Sequence, residues 1–176
     1  MKKVILLTLF AALMLISSAA VAQTASGTLT VTATVNGSIQ LVFNSDVAGV
    51  ALSSGAGTNT ATLAFGNVSA FGVVAAGVVR TTTAANFTVS SAVDVLVSKT
   101  NSASANYTLK AQLGTADAVN TWSVGGVAVT SAAQSTLTAT GTYASNSNFP
   151  VAITIPFTTA SGTLISNTIS YSATAN

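Results

Sequence analysis

The segment Thr28–Val35, TLTVTATV, alternates without a break. Leu29, Val31, Ala33 and Val35 fall on one side, and Thr28, Thr30, Thr32 and Thr34 on the other. Period-two alternation predicts a strand with one buried face and one wet face. At about 3.3 Å per residue it spans roughly 26 Å, enough to cross a β-sandwich. Similar short runs follow at Ile39–Phe43, Ala61–Phe65, Asn86–Val89, Val93–Lys99, Tyr107–Leu113, Leu137–Tyr143, Val151–Phe157 and Leu164–Ala173. Phe71–Val79 reads as a strand or a partly buried connection. Asn36-Gly37, Ser53–Thr60, Gly66-Asn67 and Asn101–Ala105 carry turn or loop chemistry between these runs. Gly125-Gly126, flanked by Trp122–Val124 and Val127–Val129, is a two-residue hairpin signal. Beyond residue 22, no segment of helical length carries a 3.6-residue period. Short strands at regular spacing predict an all-β sandwich.

The first residues follow a different rule. Met1-Lys2-Lys3 is basic, Val4–Ile16 is apolar apart from Thr8, and Ala20-Val21-Ala22 is an A-x-A cleavage site. That order predicts a secretory signal peptide over 1–22, with the mature chain starting at Gln23. The apolar run is too short for a stable membrane span, and no second run of spanning length follows. The expected mature protein is therefore exported, with no membrane insertion. Residues 23–36 form an N-terminal extension, and 37–176 a single sandwich domain.

Export changes the charge argument. The whole chain of 176 residues carries a net charge of +2. Without Lys2 and Lys3, the charges of Arg80, Lys99 and Lys110 cancel those of Asp46, Asp94 and Asp117. No basic patch remains for nucleic acid. A surface with so few charges and no net charge favours association, here with copies of the same chain. The chain has no cysteine. An exported domain without disulfides is held by its core, by oligomerisation, or by both.

Catalytic chemistry is sparse. There is no His, Cys or Glu, and the three Asp are far apart along the chain. This argues against Ser–His–Asp and Cys–His catalysis, zinc sites and paired-carboxylate hydrolysis. Gly55-Ala56-Gly57 lacks the Lys and helix context of a phosphate loop. The expectation is a non-enzyme without cofactor or metal. Three separated Asp meeting at a calcium site is the weaker alternative. Trp122, Tyr107, Tyr143 and Tyr171 are either a sugar platform or, more simply, core and edge residues. The threonines of Thr28–Thr34, with Thr138, Thr140 and Thr142, are either an ice-binding row or a plain solvent-facing strand side.

The stretch Leu29–Phe43, LTVTATVNGSIQLVF, resembles the mature N-terminus of alpha-type chaperone–usher major pilins, the subunits of colonisation-factor fimbriae. Gly162–Ala175 is similar to their last strand, with Ile169, Tyr171 and Ala173 on one face. Leu63-Ala64-Phe65-Gly66 resembles the L-x-F-G element of spore-coat-U-like secreted domains. The resemblance implies an immunoglobulin-like sandwich lacking one strand, whose groove takes the N-terminal donor strand of the next subunit. It implies Leu29, Val31, Ala33 and Val35 as the donor row. Ile39, Leu41, Phe43, Ile169 and Tyr171 would line the acceptor groove. It further implies a surface filament on a bacterial cell, assembled with a periplasmic chaperone and an outer-membrane usher. The alternative is a self-contained, monomeric binding module for a glycan or surface ligand, with Thr28–Val35 paired within its own sheet.

Overall fold

The computed structural model describes residues 26–53 and 56–176. The expected signal peptide over 1–22, its cleavage site and residues 54–55 of the Ser53–Thr60 loop lie outside the described residues. The chain divides between Thr34 and Val35 into two units. Every described strand belongs to the second, Val35–Asn176.

The strands are β1 (Ser38–Ser45), β2 (Val79–Thr82), β3 (Asn86–Ser91), β4 (Val93–Thr100), β5 (Tyr107–Leu113) and β6 (Thr121–Val124). They continue with β7 (Val127–Val129), β8 (Ser135–Gly141), β9 (Asn146–Asn148), β10 (Val151–Pro156) and β11 (Ile169–Ala175). Every strand pairing is antiparallel. The sheet orders are β1-β4-β9, β2-β3-β10-β6-β7 and β11-β5-β8.

The first two sheets run into one another. Only Ala92 separates β3 from β4, and only Phe149-Pro150 separates β9 from β10. Pro150 has no N–H for a ladder, so pairing breaks there. The Phe149 N–H to Val93 O bond, 2.8 Å, bridges the break. Alternate residues of β4 and β5 point between the layers: Val95, Val97, Tyr107 and Leu109 are all fully buried. A second cluster, including Phe87, Val89, Trp122, Val124, Ile153 and Ile155, fills the space beneath the five-stranded sheet. The result is an all-β, sandwich-like domain.

Several expected elements differ. Thr28–Val35 is not a strand, and Leu29, Val31 and Val35 are exposed. Alternation alone does not make a strand, because a ladder requires a hydrogen-bonded neighbour. Asn36 and Gly37 do not make a hairpin turn, since neither has the positive φ that a type I′ turn demands. Gly37 serves close approach instead, because a Cβ there would meet Asn101 O at 2.6 Å. Ala61–Phe65 contributes only the isolated bridge of Thr62 to Ser53. Leu164–Thr168 is irregular, and the last strand starts at Ile169. By contrast Gly125-Gly126, with φ of 58° and 80°, joins β6 to β7 as a tight hairpin.

Candidate functional site: two open strand edges

β1 and β11 are edge strands of two different sheets. In an antiparallel strand, the N–H and C=O of one residue point to the same side, and successive residues alternate. Phe43 shows which side is which. Its N–H donates to Thr58 O at 2.8 Å and its C=O accepts from Gly57 N–H at 2.6 Å. Odd-numbered residues of β1 therefore turn their backbone groups away from β4. Those of Ile39 and Leu41 face the open edge, whereas Phe43 already bonds to the 57–58 loop.

β11 is read the same way. Gly114 N–H donates to Thr168 O at 2.7 Å, and Asn176 N–H donates to Asn106 O at 3.1 Å. Even-numbered residues thus face β5, and Ile169, Tyr171, Ala173 and Ala175 face outward. Among the described residues no ladder bond joins β1 to β11. Unpaired edges of this kind are templates for another strand.

The side chains between these edges are half-buried. Ile39, Leu41, Phe43, Ile169, Tyr171 and Ala173 are all intermediate in exposure. The rings of Phe43 and Tyr171 meet edge-on, with centroids 5.0 Å apart. Burial pushes the Tyr171 phenol pKa well above its usual value, so the side chain lines the gap as a neutral ring. At the other end, Ile39 and Ala175 share an open cleft of about 290 Å³ with Gly37, Ser38, Asn101 and Ser102. Of the sequence-chosen residues, Phe43 and Tyr171 meet each other, Ile39 lies with Ala175 at the cleft, and Leu41 and Ile169 are half-buried on the same two edge strands. Leu29, Val31, Ala33 and Val35 stand exposed outside any sheet.

The other candidates resolve into structural roles. Asp46 and Asp94 meet through Asn148, whose amide donates to both at 2.7 and 3.3 Å. Asp117 lies elsewhere and accepts from Trp122 Nε1–H at 2.8 Å. Trp122 and Tyr107 are buried, so the four aromatics form no shared surface platform. Pairing register brings out a feature hidden in the sequence. Thr81, Thr88, Thr154 and Thr121 line up across β2, β3, β10 and β6. No local spacing announces that row, because each residue comes from a different strand.

Comparison with protein-family models, with curated proteins and with solved structures returns no match.

Proposed function

We propose that this protein is the structural subunit of a filament, in which Thr28–Val35 of one copy completes the sheet of the next. The observation that carries the reading is the pair of open edges on β1 and β11, taken together with an exposed, alternating segment of matching length. Thr28–Val35 has eight residues, β1 has eight and β11 has seven. Strand addition supplies affinity through main-chain bonds, and alternate side chains supply specificity.

The sheet order supports an immunoglobulin-like assignment. Treating β3 with β4 and β9 with β10 as continuous strands, one layer runs β1, β3–β4, β9–β10, β6. This matches the A-B-E-D layer of an immunoglobulin-like sandwich, and β11 beside β5 matches F beside C. The last strand of that fold would lie on the outer edge of β11, where the gap is.

Pairing in cis meets an obstacle of register. A two-residue turn at Asn36-Gly37 would pair Val35 with Ser38 and Thr34 with Ile39. The threonines would then face the core and the apolar row would face water. Ser38 also directs its backbone toward β4, where it pairs with Thr100. Donation to a second copy has no such conflict. A head-to-tail contact does not close, so the assembly grows as a fibre. The balanced charge of residues 23–176 lets copies approach without mutual repulsion. Export to a bacterial surface, with a chaperone covering the gap before assembly, completes the proposal.

The test is a gel of purified surface material, run unheated and boiled in detergent, with negative-stain images of the same sample. A ladder that collapses on boiling, together with thin fibres, supports the reading. A single band in both lanes with a bare grid refutes it in favour of a monomeric binding module.

A further inference from the structure

We infer that Asn36 is a site of spontaneous covalent modification: the Gly37 nitrogen closes on the Asn36 side chain, and the residue converts to aspartate and isoaspartate. The inference stands on the segment just before β1 and is independent of the assembly reading.

The reaction needs a side-chain amide that no hydrogen bond holds, a following backbone nitrogen that can reach its carbonyl carbon, and water. Asparagine is among the thermolabile residues for this reason. Glycine in the following position favours ring closure, because it has no Cβ to crowd the approach and its backbone is the least restricted. Asn36-Gly37 is the only Asn-Gly pair in the chain. Every Asn from Asn44 to Asn167 precedes Ser, Thr, Val, Phe or Tyr, whose side chains shield the attacking nitrogen. Several are also held by their amides: Asn148 on Asp46 and Asp94, Asn120 on Asp117, and Asn167 on Thr115 O.

The fold leaves the pair open. Asn36 and Gly37 are exposed and precede the first residue of β1. Among the described residues, neither the Asn36 side chain nor the Gly37 N–H has a hydrogen-bond partner. Gly37 continues the odd-numbered set whose backbone groups turn away from β4. It also borders the open cleft of about 290 Å³, shared with Ser38, Asn101 and Ala175, which admits water. Packing fixes the residue that makes Asn36 reactive. A Cβ at position 37 would meet Asn101 O at 2.6 Å. A larger residue would push the start of β1 off the Asn101 backbone, so the domain keeps glycine and the reactive pair with it.

The steps balance without an oxidant or reductant. Gly37 N bonds to Asn36 Cγ, and the Cγ–Nδ2 bond breaks. The departing nitrogen takes the proton from Gly37 N and leaves as ammonia, giving a cyclic succinimide. Water then opens the ring. Attack at Cγ gives aspartate, and attack at the main-chain carbonyl carbon gives isoaspartate, whose backbone runs through the former side chain. Either product adds a negative charge to residues 23–176, where Arg80, Lys99 and Lys110 otherwise balance Asp46, Asp94 and Asp117. Isoaspartate also lengthens the main chain by a methylene immediately before Gly37.

The test incubates the purified protein at mildly alkaline pH, digests it with pepsin in acid, where ring closure is slow, and maps the peptides by mass spectrometry. The peptide holding Asn36 should gain the mass difference between carboxyl and carboxamide, in two chromatographic forms with isoaspartate in excess, and faster as pH rises. The intact protein should develop a more acidic band on isoelectric focusing. Asn36→Gln should develop none, because its larger ring closes slowly, and at an exposed position it leaves the fold intact. A synthetic peptide spanning Thr34–Ile39 sets the unrestrained rate. Conversion of Asn36 ahead of every other Asn, at a rate near that of the peptide, supports the inference. An unchanged Asn36 while the peptide converts means that the fold holds the pair apart, and overturns it. Aspartate without isoaspartate means direct hydrolysis and overturns the role of Gly37. Earlier conversion of another Asn overturns the assignment of the site.

Discussion

Val31→Asp separates assembly from folding. Val31 is 81% exposed in the subunit. Its replacement should therefore change subunit stability by no more than about 0.5 kcal/mol, as at other exposed positions. In the proposed assembly the same side chain is buried against a second copy. Losing a buried valine costs about 1.5–3 kcal/mol. Burying a carboxyl group without a partner adds about 2 kcal/mol or more, even after it takes up a proton. The row it would face, Ile39, Leu41, Phe43, Ile169 and Tyr171, offers no cation. The combined loss of about 4 kcal/mol corresponds to about a thousandfold weaker association. Secreted Val31→Asp protein should show the wild-type melting temperature of the isolated subunit but no boiling-sensitive ladder. Equal ladders from mutant and wild type, at matched secretion, would refute the burial of Val31 in a neighbour.

Three further outcomes concern the domain itself. Tyr107 is fully buried and its hydroxyl has no hydrogen-bond partner. Tyr107→Phe should therefore raise the urea midpoint, with a gain of about 1–3 kcal/mol from removing the unpaired group. Gly141 packs under the same ring, and a Cβ there would lie 2.3 Å from it. Gly141→Ala should destabilise by about 3 kcal/mol or more, seen as a lower thermal midpoint. Burial would on its own raise the Asp117 pKa. Hydrogen bonds from the Asn120 backbone, Trp122, the Asn120 side chain and the Val119 backbone outweigh it and hold the pKa at about 2. A depressed carboxyl contributes stability that is present above the ordinary carboxylate range and is lost as pH falls toward about 2. Asp117→Asn should flatten that acid limb when unfolding is followed by Trp122 fluorescence.

Local pattern was a good guide where a strand buries one face completely. Tyr107–Leu113 has the same limits in sequence pattern and in structure, and alternate residues along it are buried. β4 and β10 follow the same logic. Pattern failed at β9, Asn146–Asn148, whose polar residues are held at the sheet edge by ladder bonds to Asp94–Leu96. It failed in the other direction at Ala61–Phe65. There Leu63 and Phe65 pack against the core from an irregular segment. Apolar alternation records the need for burial, and a loop draped over the core can meet that need without a ladder. Resemblance, not local spacing, groups Ile39, Leu41, Phe43, Ile169 and Tyr171. Loop chemistry over Ser53–Thr60 was legible, but nothing local announced that Gly57 and Thr58 bond back to Phe43 and close that part of the edge.

The sequence by itself determined the all-β character, the poverty of charge and the alternating rows that each strand must bury. Those properties are local: a period of two and a side-chain inventory can be read without knowing any neighbour. Only the tertiary structure decided which strands became edges and which residues surround the gap between them. Phe43 and Tyr171 meet ring to ring although 128 positions apart, and nothing within either segment records the other. Their juxtaposition comes from the packing of two layers through Val95, Val97, Tyr107 and Leu109, which carries β1 and β11 to the same side of the core.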